Sequence, residues 1–382
     1  MSVTAKKLEA EHREPAADRP RPLAFRRLFG RKLTVNVVTD SGPFPLGAEG
    51  VLEGLQESLA RLGDHPDLSL RVDDPRPADI LHFIGCGPAF LYRGAMQGSR
   101  RLCSLELPSE AAGLAELARP VVHGFLRALC DRTDAVIATT PHTAGRLRDM
   151  GVRASIRTLP GAVPAAFMKS AELRKRGRSL LGLPASAAVV LGVGGLRRFE
   201  AVADFAAVAR AIPEATFVWV DQEAGRGPLD PEGFDAFVAK DAANLRFAGA
   251  LPAADLPALF NAADVLLHPA LQASRPRVPL LAAACGVPVV LRDLPEHREL
   301  LRGDYLAAAS PGGLAEAVRR LLGSDAERAR WGTLSARFAE RFRLEPAADA
   351  LASLYDLAGC GKLAPAAPEV EPSTTKLLEW PL

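Results

Sequence analysis

The chain has 382 residues, of which 48% are hydrophobic and 24% are charged, and its formal net charge at pH 7 is +2. This balance is typical of a globular protein with room for two domains of ordinary size. The small net charge does not by itself indicate a nucleic-acid-binding protein, so we expect no nucleic-acid partner. No apolar run approaches the ~20 residues of a membrane span.

The beginning of the chain is polar and charged, without the apolar stretch of a secretory signal. The five cysteines form no CxxC pair, which argues against a disulfide framework or a zinc site. No Asp-x-Asp pair is placed to hold a divalent metal. We therefore expect a cytoplasmic protein with no metal site and no resident cofactor.

Residues 1–32 precede the first strand pattern, and we interpret them as a basic, partly disordered segment. Within it, residues 19–32 interleave six basic residues with Leu23, Phe25, Leu28 and Phe29. This pattern is typical of a segment that lies on an anionic membrane surface. The alternative is a solvated basic linker whose apolar side chains pack onto the adjacent domain, and the sequence leaves both open.

From Leu33 onward, strand and helix patterns alternate in two series. The first series predicts strands at 33–39, 69–72, 80–84, 102–107, 135–139 and 156–159, with helices at 51–62, 114–129 and 142–150. A basic stretch of poor periodicity, residues 169–186, is interpreted as a linker. The second series predicts strands at 187–193, 215–220, 245–247, 265–268, 287–291 and 305–308, with helices at 200–211, 253–262, 278–285, 311–323, 325–341 and 344–357.

Repeated βα units predict doubly wound parallel sheets. Two such domains in tandem leave a cleft between the carboxyl ends of their strands, where open α/β folds bind ligands. A two-domain dehydrogenase or a periplasmic-type binding protein would give the same outline.

Three segments of the second series are more specific. They are NLRFAGA at 244–250, DLPALFNAADVLLHP at 255–269 and LLAAACGVPVV at 280–290. They resemble glycosyltransferase family four, whose members transfer sugars from nucleotide donors with retention of configuration. Residues 192–194, 217–220 and 288–295 resemble the bacterial diacylglycerol glucosyltransferase branch in particular.

The resemblance implies a GT-B fold, with two Rossmann-like doubly wound domains facing across a cleft. Residues 33–164 would form the acceptor-side domain and residues 165–343 the donor-side domain. A helix at 344–358 would cross back to the first domain, and residues 359–382 would form a tail. If active, such a protein is a retaining hexosyltransferase with a nucleotide sugar, such as a UDP-hexose, as its donor.

The motifs that carry chemistry in the family are altered in this chain. The Glu-x7-Glu motif beside the donor sugar corresponds to Ser274 and Ala282, and alanine cannot accept the hydrogen bonds of a ribose. The motif's glycines are replaced by Arg275, Pro276 and Arg277. Proline removes a backbone donor from a phosphate cradle, whereas the two arginines could bind phosphate through their side chains or could simply be solvated.

The family's basic pair, which neutralises the leaving diphosphate, falls on Phe199 and Glu200 in ungapped register. Arg197 and Arg198 lie two places earlier, where a shortened loop could direct them to the same point. The imidazole that the family places near the reacting centre falls close to Leu107. No catalytic residue can therefore be assigned.

Several glycines and one carboxylate still match the family. Gly194 and Gly195 suit a tight turn near a phosphate, Gly47 and Gly50 match the glycine-rich loop of the first domain, and Glu299 matches a family carboxylate. His82 ends a strand pattern, and we interpret it as structural. The candidate donor- or anion-binding residues are Gly47, Gly50, Gly194, Gly195, Arg197, Arg198, Ser274, Arg275, Arg277 and Glu299.

Two functions remain open. The altered motifs favour a pseudo-glycosyltransferase, a binding or partner subunit in a glycan, glycolipid or natural-product pathway, joined to a catalytic protein or to a second copy of itself. The alternative is an active retaining glycosyltransferase with an altered donor site. In either case, the membrane interpretation of residues 19–32 would give a peripheral location at the inner face of a membrane, and the linker interpretation would not.

Overall fold

The computed structural model describes residues 23–39, 51–85, 90, 92–93, 99–107, 119–159, 161–195, 201–221, 242–271, 277–301, 303 and 305–363. These residues form two six-stranded sheets in which every strand pair is parallel. The predicted α/β class with two doubly wound sheets is confirmed. Among the described helices, none combines the length and the apolar character needed to cross a membrane.

The first sheet has the strand order β2-β1-β3-β4-β5-β6. Its strands are β1 (Leu33–Thr39), β2 (Leu68–Val72), β3 (Ile80–Ile84), β4 (Arg100–Leu105), β5 (Ala135–Ala138) and β6 (Ser155–Thr158). Its helices, in chain order, are α1 (Ala24–Phe29), α2 (Val51–Gly63), α3 (Arg119–Cys130) and α4 (Pro141–Asp149). The predicted strands were therefore correct to within two residues at each end.

Both faces of this sheet are covered. One face packs against α1 and α2 through a cluster that includes Leu23, Phe25 and Leu55. The other packs against α3 and α4 through a second cluster that includes Leu126 and Leu147. Because both faces are buried, the central strand β3, with the sequence ILHFI, is buried at every position, whereas the outer strands β2 and β6 contain polar residues and are partly exposed.

The second sheet has the order β12-β11-β10-β7-β8-β9. Its strands are β7 (Val189–Gly194), β8 (Thr216–Asp221), β9 (Leu245–Phe247), β10 (Val265–His268), β11 (Val289–Arg292) and β12 (Leu306–Ala308). Its helices are α5 (Ala171–Leu180), α6 (Val202–Ala211), α7 (Leu256–Ala262), α8 (Arg277–Ala284), α9 (Pro295–Leu301), α10 (Pro311–Leu322) and α11 (Asp325–Ala339). The short helix α9 was not predicted.

The stretch predicted as a linker, residues 169–186, contains a helix, and that prediction was wrong. Ser170 caps α5 by accepting a hydrogen bond from the Leu173 amide. Gly177 lies so close to α7 that an added Cβ would stand 2.0 Å from the Ala258 carbonyl oxygen. The helix has few apolar residues because two of its arginines, rather than leucines, make its inward contacts.

Those arginines converge on Asp264, at the start of β10. Arg174 donates to one carboxylate oxygen at 2.5 Å, and Arg178 donates to the other at 3.0 Å. Asp264 also accepts from the Val189 amide at 2.8 Å, which joins the ion pairs to the first strand of the sheet. The Arg178 side chain is only 6% exposed, and burial together with the charge of Arg174 lowers its pKa.

The N-terminal segment is also more structured than predicted. The Leu23 amide donates to Asp67 at 3.0 Å, and the Ala24 and Phe25 amides donate to Asp356 at 3.0 and 2.8 Å. These carboxylates satisfy amides in the first turn of α1 that have no partner within the helix. Residues 1–22 lie outside the described part of the chain.

The last described helix, α12 (Leu344–Gly359), returns to the first sheet. Its residues Leu351 and Tyr355 are buried in the same cluster as Phe25 and Leu33. Just before it, the Val163 amide donates to the Phe342 carbonyl at 2.6 Å, so the two chain segments that connect the sheets run side by side.

Candidate functional site

In each sheet, the chain adds strands first on one side of its first strand and then on the other side. In the first sheet, β2 lies on one side of β1 and β3 on the other. In the second sheet, β8 and β9 lie on one side of β7, and β10 lies on the other. Open α/β sheets bind ligands beyond the carboxyl ends of the strands at this point. The candidate site on the second sheet therefore lies beyond Gly194 and His268.

The structure places some of the predicted site residues at this edge. Gly194 is the last residue of β7, and the buried Gly195 follows it directly. Arg277 is the half-buried first residue of α8, the helix that follows β10. Glu299 lies in α9, after β11. The structure brings Gly194, Gly195 and Arg277 to the same edge of one sheet.

The remaining predicted site residues lie outside the described part of the chain. They are Gly47, Gly50, Arg197, Arg198, Ser274 and Arg275. Their assignment to a donor or anion site stays a prediction, as does the placement of Gly47 opposite Gly194.

His268 is a residue at this edge that sequence reasoning did not single out. It ends β10, is 6% exposed, and lies on the same side of the sheet as Leu266. Its Nδ1 atom has no hydrogen-bond partner, although the ring makes a hydrogen bond with the Val193 backbone. Burial, together with the nearby His297, lowers its pKa to about 3, so the ring is neutral at physiological pH. Its one signal in the sequence is a histidine at the end of an apolar strand.

Arg292, at the end of β11, is held entirely by the protein. Its Nε donates to the Pro269 carbonyl at 2.8 Å, and its Nη1 donates to the Ala309 carbonyl at 2.6 Å. Its Nη2 pairs with the Asp204 carboxylate. The guanidinium thus connects the residue after β10, the residue after β12 and helix α6. Its donors are used within the protein rather than offered to a ligand.

Ala282 lies in a helix that is buried from Pro279 to Ala284, and it is itself 0% exposed. It belongs to the same apolar cluster as Leu266 and Leu280. The position that would hold a ribose in the resembled family is therefore part of the hydrophobic core. An apolar side chain there offers no hydrogen bond to a sugar hydroxyl.

The first sheet presents different groups at the corresponding edge. Glu106 follows β4 and is 8% exposed, and Leu107 beside it is buried. The hydroxyl of Thr139, after β5, makes no hydrogen bond. Across the two domains, α4 and α9 lie against each other.

His82 does not reach this edge as a free side chain. Its Nδ1 lies 2.7 Å from the Tyr355 hydroxyl, and its Nε2 lies 2.7 Å from the Ser104 hydroxyl. It is fully buried, and burial lowers its pKa to about 4. The interpretation of His82 as structural is confirmed, because one ring nitrogen is hydrogen-bonded to α12 and the other to the neighbouring strand β4.

Comparison with known proteins agrees with this geometry. The family Glycosyl transferases group 1 matches residues 187–324, which include all six strands of the second sheet. The chain is 25% identical over 301 residues to an alpha-galactosylglucosyldiacylglycerol synthase of Streptococcus pneumoniae, covering 75% of this chain and 80% of that protein. It is 32% identical over 117 residues to a processive diacylglycerol alpha-glucosyltransferase of Acholeplasma laidlawii, covering 30% of this chain and 33% of that protein.

Two solved structures show the likeness of fold. Sucrose-phosphate synthase of Thermosynechococcus elongatus matches with a TM-score of 0.69 and 17% identity, over 86% of this chain and 100% of that one. Anabaena HepE, solved in complex with UDP and glucose, matches with a TM-score of 0.66 and 17% identity, over 84% of this chain and 98% of that one. The chain therefore has a GT-B fold, and its residues 187–324 form a glycosyltransferase group 1 domain.

Proposed function

We propose that this glycosyltransferase-type protein has lost sugar transfer and acts as a binding or partner subunit in a glycan, glycolipid or natural-product pathway. The observation that carries the proposal is Ala282, a fully buried core residue at the position that matches the family's ribose-binding carboxylate. Removing one group that stabilises charge in a transition state typically costs about 2–4 kcal/mol. Ser274, at the other motif position, also lacks a carboxylate.

The described residues at the sheet edge support this proposal. His268 is uncharged at neutral pH, and Arg292 is bound by two carbonyls and a carboxylate. Neither can supply a positive charge to a leaving diphosphate. These two residues therefore do not offer the electrostatic stabilisation that transfer needs, which supports a protein that keeps the two-domain shape of a transferase without its chemistry.

The second candidate function is an active retaining hexosyltransferase with an altered donor site. It is favoured by the relatives, which are named as a synthase and a glucosyltransferase. In that case Arg275, Arg277 and the Arg197–Arg198 pair would replace the missing groups, since arginine binds phosphate through two parallel hydrogen bonds.

Calorimetry with UDP-glucose and with UDP separates the two functions. The binding-subunit proposal predicts no micromolar affinity for either compound and no release of UDP in the presence of diacylglycerol. Micromolar binding that the double variant Arg275→Ala/Arg277→Ala abolishes would reject the proposal and establish the altered donor site. Thermal unfolding of the variant provides the control, because the two substitutions should leave the core intact.

We also propose that the protein works at a membrane surface. The two relatives are named for diacylglycerol lipids, which reside in membranes. The surface predicted from residues 19–32 is only partly available, because Leu23 and Phe25 are buried while Leu28 and Phe29 are 63% and 55% exposed.

A further inference from the structure

Strand β8 ends in a buried carboxylate. Asp221 is the last residue of the strand and is 5% exposed, although the four residues before it form an apolar run, FVWV. Its neighbour across the sheet is Gly194, the last residue of β7. The Asp221 amide donates to the Gly249 carbonyl at 3.1 Å, which fixes the backbone at this position. A carboxylate therefore lies beside the end of β7, at the edge of the second sheet that forms the candidate site.

The alternation of side chains along β8 places Asp221 on the face of the sheet that α6 covers. Trp219 belongs to the cluster that contains Phe205 of α6, and Asp221 follows two residues later, which is the period of a strand. Gly194 lies on the same face, because a Cβ added two residues earlier, at Gly192, would stand 2.5 Å from the Trp219 ring. Helix α6 follows β7 and so begins at the carboxyl edge, where open α/β folds bind ligands.

The first domain uses a carboxylate at the same place for a structural purpose. Asp73 directly follows β2, as Asp221 ends β8, and it contacts Thr39, the last residue of β1. Its carboxylate accepts hydrogen bonds from the Thr39 amide at 3.0 Å and from the Thr39 hydroxyl. Asp73 is also exposed to solvent. Asp221 differs on both points, because it is buried and because the residue opposite it, Gly194, offers no side chain to bind.

Asp221 adds negative charge to this face of the edge. Asp204 lies in the first turn of α6, and Arg292, at the end of β11, pairs with it. The other donors of Arg292 are used by two backbone carbonyls, so these two residues balance each other. His268 lies on the opposite face of the sheet, and its lowered pKa leaves the ring neutral. Neither Arg292 nor His268 therefore offsets the charge of Asp221.

A carboxylate selects ligands by the hydrogens that they carry. Each of its two oxygens accepts hydrogen bonds, so two adjacent hydroxyl groups of a sugar ring can donate to one carboxylate. A diphosphate is negatively charged and presents acceptor oxygens, so the same carboxylate repels it. A diphosphate bound against Gly194 would lie within about 8 Å of Asp221, because neighbouring strands are about 4.8 Å apart. The start of α6 favours an anion through the helix dipole, whereas Asp221 opposes one.

We propose that Asp221 sets the ligand class of the second domain, because its carboxylate binds the vicinal hydroxyls of an uncharged sugar ring and keeps a nucleotide diphosphate out. This inference rests on the proposed function and deepens it, since it names the chemistry that the binding subunit recognises. The sugar ring belongs to a hexose or to the ribose of a nucleoside, since both present adjacent hydroxyls. Asp221 is thus a specificity-determining residue and takes no part in bond cleavage.

The first measurement is calorimetry with millimolar UDP and with inorganic pyrophosphate. Asp221→Asn keeps the shape of the side chain and removes its charge, so the variant should bind both anions at least about ten-fold more tightly than the unmodified chain. Asp221→Glu keeps the charge and should reject them as the unmodified chain does. If Asp221→Asn gains no affinity, or if Asp221→Glu gains as much, the charge at this position does not exclude anions and the inference fails.

Glu214→Gln is the matched control. Glu214 is exposed and lies just before β8, at the opposite end of the strand that Asp221 ends. The substitution removes the same charge from the chain at about 20 Å from the site, which is beyond the Debye length at physiological salt. It should leave the UDP affinity within about two-fold of the unmodified value. A gain equal to that of Asp221→Asn would show that net charge governs binding and would overturn the inference.

The second measurement is saturation-transfer NMR with methyl α-D-glucopyranoside and with uridine. We expect transfer to at least one of these neutral sugars, and the one that responds identifies a hexose or a nucleoside as the source of the diol. Asp221→Asn should bind that sugar at least about ten-fold more weakly, because hydrogen bonds to a charged acceptor are replaced by one to a neutral amide. Glu214→Gln should bind it as the unmodified chain does. The absence of transfer to either sugar, or equal binding by Asp221→Asn, would overturn the inference.

Circular dichroism and thermal unfolding show whether each variant is folded. If Asp221→Asn is not, Asp221→Ser, which is smaller and also uncharged, replaces it with the same expected results. The proposed loss of transfer is judged on the unmodified chain, by its affinity for UDP and by UDP release with diacylglycerol. This inference is judged on the ratio of variant to unmodified affinities and on the neutral sugars. Either can therefore fail while the other stands.

Discussion

The two domains each hold a covering helix by a different chemistry. In the C-terminal domain, α5 is fastened by ion pairs from Arg174 and Arg178 to Asp264. In the N-terminal domain, α12 is fastened by a neutral chain in which His82 lies between the hydroxyls of Tyr355 and Ser104. Buried ions must keep their partners, whereas a neutral imidazole must be kept from taking a proton. The attachment of α5 is therefore weakened by removing one of its charges, and the attachment of α12 is weakened when low pH favours protonation of His82.

The largest effect is expected from Asp264→Asn. The change leaves the nearly buried Arg178 without a counter-charge, and breaking a buried pair costs about 3–5 kcal/mol in the free energy of unfolding. Urea unfolding measures this loss. Asp255→Asn is the control, because Asp255 pairs with the more exposed Arg176 of the same helix, and such pairs contribute at most about 1 kcal/mol. Equal losses in the two variants would show that the Asp264 pairs do not differ from surface pairs.

The next effect is expected from Gly177→Ala. An added Cβ would stand 2.0 Å from a backbone oxygen of α7, so the two helices must separate, at a cost of about 3 kcal/mol. Gly145→Ala in α4 is the control, since an added Cβ there meets no atom within 4 Å. That control should be neutral or stabilising by up to about 1 kcal/mol. If both variants unfold at the same urea concentration, α5 does not pack as closely as described.

A third effect is expected from pH, smaller for each histidine than the losses above, and the contribution of His82 tests the neutral contact that holds α12. The pKa values of His82 and His268 are lowered to about 4 and about 3, while an unfolded histidine titrates near 6.5. Between these values the unfolded chain binds protons that the folded chain does not, so stability falls as the pH falls. Each histidine should remove roughly 2 kcal/mol between pH 7 and about pH 5.

The variant His82→Gln separates this effect from the titration of carboxylates. Glutamine keeps a donor and an acceptor but does not titrate in this range. Urea unfolding at neutral and mildly acidic pH should therefore show a smaller loss for the variant than for the unmodified chain. An identical loss would mean that His82 is already protonated in the folded protein.

The same contrast explains what the sequence could and could not predict. The central strands were located because both of their faces are buried, and this makes them apolar runs that need no distant partner to be recognised. Helix α5 was missed because its inward-facing positions are arginines. Their burial depends on Asp264, which lies 86 residues from Arg178 along the chain. A window of local sequence cannot show such a partner.

Other gaps have the same origin. The sequence left open whether residues 19–32 lie on a membrane or pack onto the adjacent domain, because Asp356, whose carboxylate accepts a hydrogen bond from the Phe25 amide, lies 331 residues further along the chain. At the candidate site, Gly194 was predicted from its place after a strand, and the absence of a carboxylate at Ala282 was visible in the sequence. His268 was missed because its importance depends on Val193, on a neighbouring strand that is distant in sequence.

The return of α12 to the first sheet also sets the order in which the protein can mature on the ribosome. Leu351 and Tyr355 complete the core around β1 and β3, yet they are translated after every strand of both sheets. N-terminal domains usually fold first during synthesis. Here the face of the first sheet that α12 covers stays exposed until residues 344–359 have left the ribosome. The C-terminal domain, whose elements are contiguous in sequence, can reach its native packing before its N-terminal neighbour does.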